Sequence, residues 1–352
     1  MINPKKFTNV GVVGFGAYIP KFRITVEEIA KVYEKDGKSI AASLGLNQKA
    51  VADRDEDTAT LAVEAALLAI SRSSKLKPEN LGAVLIGSES HPYVVKPTGS
   101  IVAEVLGVGR DYLTADLEFA CKAGTTAMTL IASLIESGLI DCGLAIGADV
   151  AQSRPGDALE YTAGAGAAAL ILGSKKYPWL AKLNTVSSFN SDTPDFWRRE
   201  AEKYPAHAGR FTGEPAYFTH VVQGTKEYLQ KFKQKISDFS HVVLHMPNAK
   251  FPQKAAARLG INREQLKTGF IVPEIGNPYS ASAMTGLVKV LEEGKAGEKI
   301  LVTSYGSGAG SDSFSLTIKR KNPINKKDDI KNQLKNVEQI SYTKYLHFLG
   351  KA

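Results

Sequence analysis

The sequence predicts an α/β protein made of two similar halves, in which two mostly parallel sheets are covered by helices and packed on each other. Short apolar runs typical of buried strands alternate with helix-length segments along the chain. One pattern of strand, helix and glycine also occurs twice in the same order, which indicates an internal duplication. We therefore divide the chain into an N-terminal half, 1–174, and a C-terminal half, 175–352.

The two copies share one spacing. In the first copy, Glu89 follows the apolar run 81–88, and Cys121 begins a helix that stops at Gly138. In the second copy, His245 follows the apolar run 241–244, and Asn277 precedes a helix that stops at Gly294. The spacing is 32 residues in both (121 − 89 and 277 − 245). After each helix come a strand, a Gly-Ala-Gly step and another strand: 142–146, 164–166 and 167–172 in the first half, and 299–303, 308–310 and 313–319 in the second.

Length and composition limit the class of protein. With 352 residues, 43% hydrophobic and 23% charged, the chain is typical of a soluble globular protein and not of a disordered or fibrous one. Only two cysteines are present, too few for a disulfide framework, and no cysteine or histidine cluster indicates zinc. No apolar run reaches the length that crosses a bilayer. We therefore expect a cytoplasmic protein that does not bind membranes.

The net charge of +8 is uneven, because residues 319–335 hold seven Lys and Arg against two Asp. No known nucleic-acid-binding motif accompanies this segment, so a nucleic-acid partner is not expected. We interpret it as a solvated basic tail without an assigned role.

The duplication places reactive side chains around one site. Ligands of open α/β sheets bind beyond the carboxyl ends of strands. We therefore expect Glu89, Cys121, His245 and Asn277 to meet at a site formed by both halves.

Each of the three ionisable groups has a predicted role. Cys121 at a helix N-terminus is expected to have a lowered thiol pKa and to act as a nucleophile. Partial burial should raise the pKa of Glu89 toward that of a useful general acid or base. A neutral imidazole at His245 can donate to a substrate carbonyl oxygen. Together, these groups suit covalent acyl transfer with removal of a proton from carbon.

Other candidates receive structural interpretations. Cys142 lies inside a strand and is read as a buried structural residue, and His91 is assigned to packing or hydrogen bonding. The segment GFGAYI at 14–19 lacks the third glycine of a dinucleotide-binding motif, so neither a nicotinamide nor any other cofactor is expected. The glycine loop at 306–310 can bring backbone amides close to an oxyanion. The remaining histidines have no comparable context: His207, His220, His241 and His347.

Four motifs resemble the archaeal-type hydroxymethylglutaryl-CoA synthases of the thiolase superfamily, over roughly the whole chain. They are VVGFGAYIP at 12–20, GSESHP at 87–92, PGDALEYTAG at 155–164 and HMPNAKFP at 245–252. The resemblance implies a duplicated five-layer αβαβα fold with two mixed, mostly parallel sheets. It also implies that Glu89, Cys121 and His245 form a catalytic triad.

The resemblance further implies substrates and partners. The substrates are acetyl-CoA and acetoacetyl-CoA, condensed to 3-hydroxy-3-methylglutaryl-CoA for the mevalonate pathway, with no metal. It implies a homodimer associated with an acetoacetyl-CoA thiolase and a small zinc-ribbon/OB-fold bridging protein. The positions matching substrate contacts are Asp36, Thr162, Thr212, Asn277 and Ser307, and those matching contacts to coenzyme A phosphates are Arg210, Lys250 and Lys254.

Two alternatives stay open at this point. A chain-initiating ketoacyl synthase or a thiolase would share the fold and the cysteine, although Glu89 argues against it. A non-catalytic scaffold of the same fold is the other alternative, and the presence of Cys121, Glu89 and His245 argues against that.

Overall fold

A computed structural model describes residues 5–74, 76–321 and 324–350. Its strands are β1 (Lys5–Lys6), β2 (Gly11–Tyr18), β3 (Phe22–Thr25), β4 (Gln48–Val51), β5 (Ala83–Gly87), β6 (Leu113–Leu117), β7 (Cys142–Val150), β8 (Ala165–Gly173), β9 (Ala181–Asn190), β10 (Phe196–Trp197), β11 (Ala206–His207), β12 (His241–Leu244), β13 (Lys299–Thr303), β14 (Gly310–Ile318) and β15 (Glu338–Gln339). Its α-helices are α1 (Val26–Val32), α2 (Gly37–Leu44), α3 (Thr58–Ser71), α4 (Thr98–Leu106), α5 (Ala123–Glu136), α6 (Gly209–Phe211), α7 (Gly224–Phe232), α8 (Lys250–Leu259), α9 (Arg263–Lys267), α10 (Val272–Ile275), α11 (Ser282–Glu293), α12 (Ile330–Gln333) and α13 (Tyr342–Phe348). No helix in the described ranges is both long and apolar enough to span a bilayer.

The main sheet contains both halves of the chain. Its order is β12-β13-β14-β9-β2-β8-β7-β5-β6, with β1 added against β9, which makes ten strands. Within each half one strand, β8 or β14, runs antiparallel to both neighbours, and the other strands share a direction. The predicted pair of sheets is therefore joined into one at β2 and β9, where Gly11 pairs with Lys182 and Val12 with Ala181.

The three largest apolar cores of the described residues lie between five layers, and the central core packs on both sides of the middle helices. Alternate residues of β5 face opposite sides: Leu85 lies in one apolar core with residues of α5 and α11, whereas Val84 lies in another with residues of α3 and α4. In β12, Val243 belongs to the same central core as Leu85, and Val242 packs with α7 and α8. The order helix, sheet, helix, sheet, helix follows, because both faces of each half-sheet are buried. This confirms the predicted five-layer fold.

The central helices α5 and α11 begin in the same way. Each is preceded by a short 3₁₀ turn, Ala120–Lys122 or Tyr279–Ala281, whose first residue has a positive φ, 41° at Ala120 and 42° at Tyr279. Cys121 and Ser280 are the next residues in each turn. Ser280 is therefore the residue of the second half that is structurally equivalent to Cys121. The predicted equivalent, Asn277, lies three residues earlier in the sequence.

The basic segment at 319–335 is not a free tail. Residues 322 and 323 lie outside the described ranges, but α12 is bound to the body of the molecule. The backbone N–H of Ile330 donates to Glu292, and the Gln333 amide donates to the carbonyl oxygen of Ala17. Buried apolar residues within and after the segment pack it against the core.

The division of the chain into two halves between residues 174 and 175 stays a prediction.

Candidate active site

The thiol of Cys121 and the carboxylate of Glu89 are in contact. Cys121 Sγ donates to Glu89 Oε1 at 3.4 Å. Glu89 follows β5 by two residues, and Cys121 lies in the turn before α5. Gly87 permits this approach, since a Cβ at that position would lie 2.1 Å from the carbonyl carbon of Ala123. The strand end and the helix start therefore meet as the sequence predicted.

The pKa of the Cys121 thiol is raised, so the prediction of a lowered pKa was wrong. Burial is the main cause of this rise. The negative charges of Glu89 and Asp149 disfavour a thiolate and raise the pKa of the thiol further, whereas a hydrogen bond from Asn277 lowers it. Burial, and secondarily Asp149, also raises the pKa of Glu89, in the predicted direction. The resting thiol is therefore protonated, and its proton must pass to a neighbour during any nucleophilic attack.

Asp149 is a site residue that sequence analysis missed. This fully buried carboxylate accepts hydrogen bonds from Ser88 Oγ at 2.8 Å, Ser90 Oγ at 2.7 Å and the backbone N–H of Glu89 at 2.9 Å. It also accepts two hydrogen bonds from Ser280. Asp149 lies near the carboxyl end of β7, so the strand-end rule that indicated Glu89 could have found it.

His245 is neutral and buried against aromatic rings. Burial lowers the pKa of its imidazole to about 3, so it carries no charge near neutral pH. The Tyr217 hydroxyl donates to the His245 carbonyl oxygen at 2.7 Å, and the Tyr305 ring lies 6.0 Å away, centroid to centroid. His245 Nδ1 has no hydrogen-bond partner among the described residues.

The loop after β13 connects His245 to the cysteine turn, although no direct contact between His245 and Cys121 occurs in the described part of the chain. Tyr305 packs on His245 and is hydrogen-bonded to the side chain of Ser307. Gly306 lies against the cysteine turn, because a Cβ there would be 2.4 Å from the carbonyl oxygen of Phe119. Ser307 and Glu89 then line one cleft, together with Trp197 and Arg198.

The amides of the glycine loop are mostly occupied. The Gly306 N–H donates to the Gly310 carbonyl at 2.8 Å, and the Gly308 N–H donates to Asp195 Oδ1 at 2.7 Å. Between them, the N–H of Ser307 has no partner among the described hydrogen bonds. Ala309 and Gly310 also donate their N–H groups, so the predicted oxyanion donors of the loop at 306–310 are reduced, within the described contacts, to the Ser307 amide.

Asn277 and Thr162 reach the site by different routes. The Asn277 side chain is hydrogen-bonded to the Cys121 thiol, and its Oδ1 accepts the N–H of Tyr279 at 3.0 Å. Thr162 is buried, and its carbonyl oxygen accepts the N–H of Asn277 at 2.7 Å. Both residues therefore support the cysteine turn.

The other predicted contact residues do not touch the triad in the described contacts. Asp36 is exposed and caps α2 by accepting the N–H of Ser39. The rest lie at or near the molecular surface and stay predictions: Thr212, Arg210, Lys250 and Lys254.

A buried ion pair holds the turn that carries the nucleophile, and it too was missed. Lys122 Nζ lies 3.1 Å from Asp312 Oδ2, with both side chains almost fully buried. The Thr125 hydroxyl donates to the same oxygen at 3.0 Å, and the Ser188 hydroxyl donates to Oδ1 at 2.7 Å. The first turn of α5 is therefore bound to β14 of the other half.

Known proteins are similar to this chain over nearly its whole length. Residues 6–177 match the family described as hydroxymethylglutaryl-coenzyme A synthase N terminal, and residues 229–319 match 3-oxoacyl-[acyl-carrier-protein] synthase III C terminal. The hydroxymethylglutaryl-CoA synthase of Archaeoglobus fulgidus is 54% identical over 88% of this chain and 89% of its own length. That of Methanocaldococcus jannaschii is 52% identical over 97% of this chain and 99% of its own length.

A solved structure supports the fold. MvaS in complex with 3-hydroxy-3-methylglutaryl coenzyme A superimposes with a TM-score of 0.88 and 24% identity, covering 98% of this chain and 92% of the other. At that identity the likeness shows the thiolase-like fold alone. From the identity to the curated relatives and the match over the N-terminal half, the chain belongs to the hydroxymethylglutaryl-CoA synthase family.

Proposed function

We propose that this protein condenses acetyl-CoA with acetoacetyl-CoA to give 3-hydroxy-3-methylglutaryl-CoA through an acetyl-Cys121 intermediate. The observation that carries the proposal is the 3.4 Å contact between Cys121 Sγ and Glu89 Oε1. A nucleophile beside a carboxylate can be acylated and can then lose a proton from the acyl group to that carboxylate.

The first step acylates the thiol. The Cys121 proton passes to Glu89 as the sulfur attacks the acetyl carbonyl carbon. The carbon–sulfur bond of acetyl-CoA then breaks, and the departing thiolate takes the proton from Glu89. The raised pKa of Glu89 suits the first transfer, because a carboxylate with a higher pKa accepts a proton from a thiol more readily. The second transfer is favoured because the departing thiolate, with an ordinary thiol pKa of about 8.5, is a strong base.

The second step forms the carbon–carbon bond. Ionised Glu89 removes a methyl proton from acetyl-Cys121, and the resulting carbanion attacks the ketone carbon of acetoacetyl-CoA. His245, which is neutral, donates a hydrogen bond to the ketone oxygen. The proton taken by Glu89 is returned to that oxygen, which becomes the tertiary hydroxyl.

The third step releases the product. Water attacks the thioester carbonyl of Cys121 and the carbon–sulfur bond breaks. One proton of the water passes to the sulfur, the other is released to solvent, and the product leaves with a new carboxylate. The free N–H of Ser307 is our candidate donor to the oxyanions of these steps. One such donor contributes about 3–4 kcal/mol to transition-state stabilisation.

The remaining assignments extend the proposal to substrate binding. We assign Asn277, Thr162 and Ser307 to the acyl groups, with Asp36 and Thr212 farther along the bound substrate. Three basic side chains on the surface suit the phosphates of coenzyme A, since their charges are free of short ion pairs in the described contacts: Arg210, Lys250 and Lys254. No resident cofactor or metal enters the steps above.

We also propose a cytoplasmic homodimer. The outer edge of β6 carries no neighbouring strand in the described part of the chain. Val94 and Val95 line a cleft together with Asp116 of β6, and Leu113 begins the strand. Val94 and Val95 are 92% and 100% exposed, and Leu113 is 44% exposed. A second copy covering this edge would remove them from water. Association with an acetoacetyl-CoA thiolase and a bridging protein stays a prediction from the family resemblance.

The mass of the released product tests the function. The protein is incubated with acetyl-CoA labelled with ¹³C in the acetyl group and unlabelled acetoacetyl-CoA, and the products are separated by liquid chromatography and mass spectrometry. Labelled 3-hydroxy-3-methylglutaryl-CoA is expected. A labelled linear ketoacyl thioester would indicate a ketoacyl synthase or thiolase instead, and unchanged substrates would indicate a scaffold.

A further inference from the structure

The last residues of the described chain form a strap across the N-terminal half. We define the C-terminal strap as residues 338–349, which include β15 and α13. It lies outside both matched family regions, 6–177 and 229–319. β15 pairs in parallel with β3, and the N–H of Ile340 donates to the Arg23 carbonyl oxygen at 2.9 Å. The strap is therefore part of the folded body.

Tyr342 in the strap holds a buried carboxylate. Its hydroxyl donates to Glu160 Oε1 at 2.9 Å and is also hydrogen-bonded to the hydroxyl of Tyr33. The other oxygen, Glu160 Oε2, accepts the N–H of Gly156 at 2.7 Å. Glu160 is fully buried, so its orientation depends on these few donors.

Tyr345, also in the strap, is linked to the Glu160 backbone through Lys49. Lys49 Nζ donates to the Tyr345 hydroxyl at 2.9 Å and to the Glu160 carbonyl oxygen at 2.5 Å. It also lies 4.5 Å from the centre of the Tyr345 ring. The strap therefore contacts the Glu160 side chain directly through Tyr342, and it reaches the Glu160 backbone only through Lys49.

We define the Glu160 turn as residues 156–162. Three segments with proposed substrate contacts meet there. Thr162 belongs to the turn itself. Tyr33, three residues before Asp36, packs against Gly156, where a Cβ would be 3.4 Å from the tyrosine ring. His207, which is three residues before Arg210, places its Nε2 atom 2.9 Å from Asp157 Oδ1.

We propose that Tyr342 is a positioning residue for substrate binding: its hydroxyl fixes the Glu160 turn and, through it, the segments that carry Asp36, Thr162 and Arg210, which we assign to the bound coenzyme A thioesters. The inference rests on the proposed function for its choice of ligand. In the described contacts, no strap residue touches Cys121, Glu89 or His245, and none is bonded to the Thr162 carbonyl oxygen that supports the cysteine turn through Asn277. We therefore expect the main effect on binding and a small one on the chemical step.

Tyr342→Phe tests this, because it removes only the hydroxyl. Loss of one hydrogen bond to a buried carboxylate is expected to raise KM for acetyl-CoA about tenfold, with kcat within about twofold of the parent. The matched control is Tyr228→Phe, since Tyr228 is also buried and its hydroxyl bonds to Thr185 in the C-terminal half. We expect Tyr228→Phe to leave KM unchanged even where it lowers the melting temperature.

An unchanged KM in Tyr342→Phe, with a melting temperature lowered as in the control, would overturn the inference and leave the strap a structural brace only. If Tyr342→Phe does not fold, Tyr33→Phe removes the neighbouring hydroxyl and is judged by the same change in KM. Calorimetric titration with coenzyme A separates the two proposals. A parent protein that forms no product refutes the proposed function, while weaker coenzyme A binding by Tyr342→Phe still supports the role of the strap and equal binding overturns it.

Discussion

The carboxylate of Asp149 joins the two halves of the molecule at Ser280. Its Oδ2 accepts both the backbone N–H of Ser280 at 2.9 Å and the Ser280 hydroxyl at 2.7 Å. Its Oδ1 accepts the backbone N–H of Glu89 at 2.9 Å. One buried group from the first half therefore orients the proposed base and the start of α11, whose turn corresponds to that of Cys121.

Replacing this carboxylate should affect both stability and pH dependence. In Asp149→Asn, an amide N–H₂ faces hydroxyl and amide donors, so we expect a loss of about 1–3 kcal/mol in the free energy of unfolding. Asp149 also raises the pKa of Glu89, so the variant should lower it, and the acid limb of the kcat/KM profile should move to lower pH. Urea unfolding and a pH–rate profile measure these effects; an acid limb that stays in place would contradict the electrostatic role.

Burial of His245 should make stability depend on pH. Its pKa falls from about 6.5 to about 3 on folding, so the unfolded chain binds a proton first as the pH decreases. The stability associated with the neutral imidazole is fully present above pH 6.5 and is lost as the pH falls toward 3. Below about pH 6, the parent should lose about 1.4 kcal/mol per pH unit more than His245→Asn. Equal slopes in urea unfolding at several pH values would show that the imidazole is not buried.

The ion pair beneath the nucleophile should be sensitive to loss of one partner. Lys122→Met leaves the buried Asp312 without its cation, and we expect a loss of about 3–5 kcal/mol in unfolding free energy. The double variant Lys122→Met with Asp312→Asn should recover part of that loss, because no uncompensated charge remains. A single variant within about 1 kcal/mol of the parent would mean that the charge pair contributes little.

The nucleophile can be tested by the acetyl-enzyme alone. Cys121→Ser should reduce acetylation by labelled acetyl-CoA about a thousandfold or more, because an unactivated hydroxyl is a much weaker nucleophile than a thiol. Cys142→Ala is the control, since Cys142 is buried in β7 and donates to the Asn80 carbonyl oxygen. Mass spectrometry of the intact protein should find the acetyl group on the control only; label retained by Cys121→Ser would assign the nucleophile elsewhere.

Strands and helix positions could be predicted from the sequence because burial on both faces leaves continuous apolar runs. The runs at 241–244 and 299–303 are β12 and β13 with those bounds, and α5 begins two residues after Cys121. The pairing of β2 with β9 left no local signal, since it joins positions far apart in sequence. Likewise, counting residues could not reveal the positive φ of Tyr279, which moves the matching position to Ser280.

Contacts among distant segments account for the other differences. The helix-end effect on the Cys121 thiol was readable from the sequence, but the opposing carboxylates of Glu89 and Asp149 come from other strands and reverse the direction of the pKa change. Composition indicated a solvated tail near the C-terminus, yet Ile330 and the tyrosines of the strap are buried. The net charge of a segment does not indicate whether its few apolar residues are buried, and a few buried apolar side chains are enough to hold a basic segment against the protein.

The separate roles of Cys121 as nucleophile and of Glu89 as base are tested most directly by Glu89→Ala. The variant is mixed with ¹⁴C-acetyl-CoA, protein-bound label is counted, and acetoacetyl-CoA is then added. We predict that label accumulates on Cys121, although more slowly than in the parent, and that 3-hydroxy-3-methylglutaryl-CoA forms at least about a hundredfold more slowly. A Glu89→Ala protein that converts its acetyl group to product at close to the parent rate would contradict it.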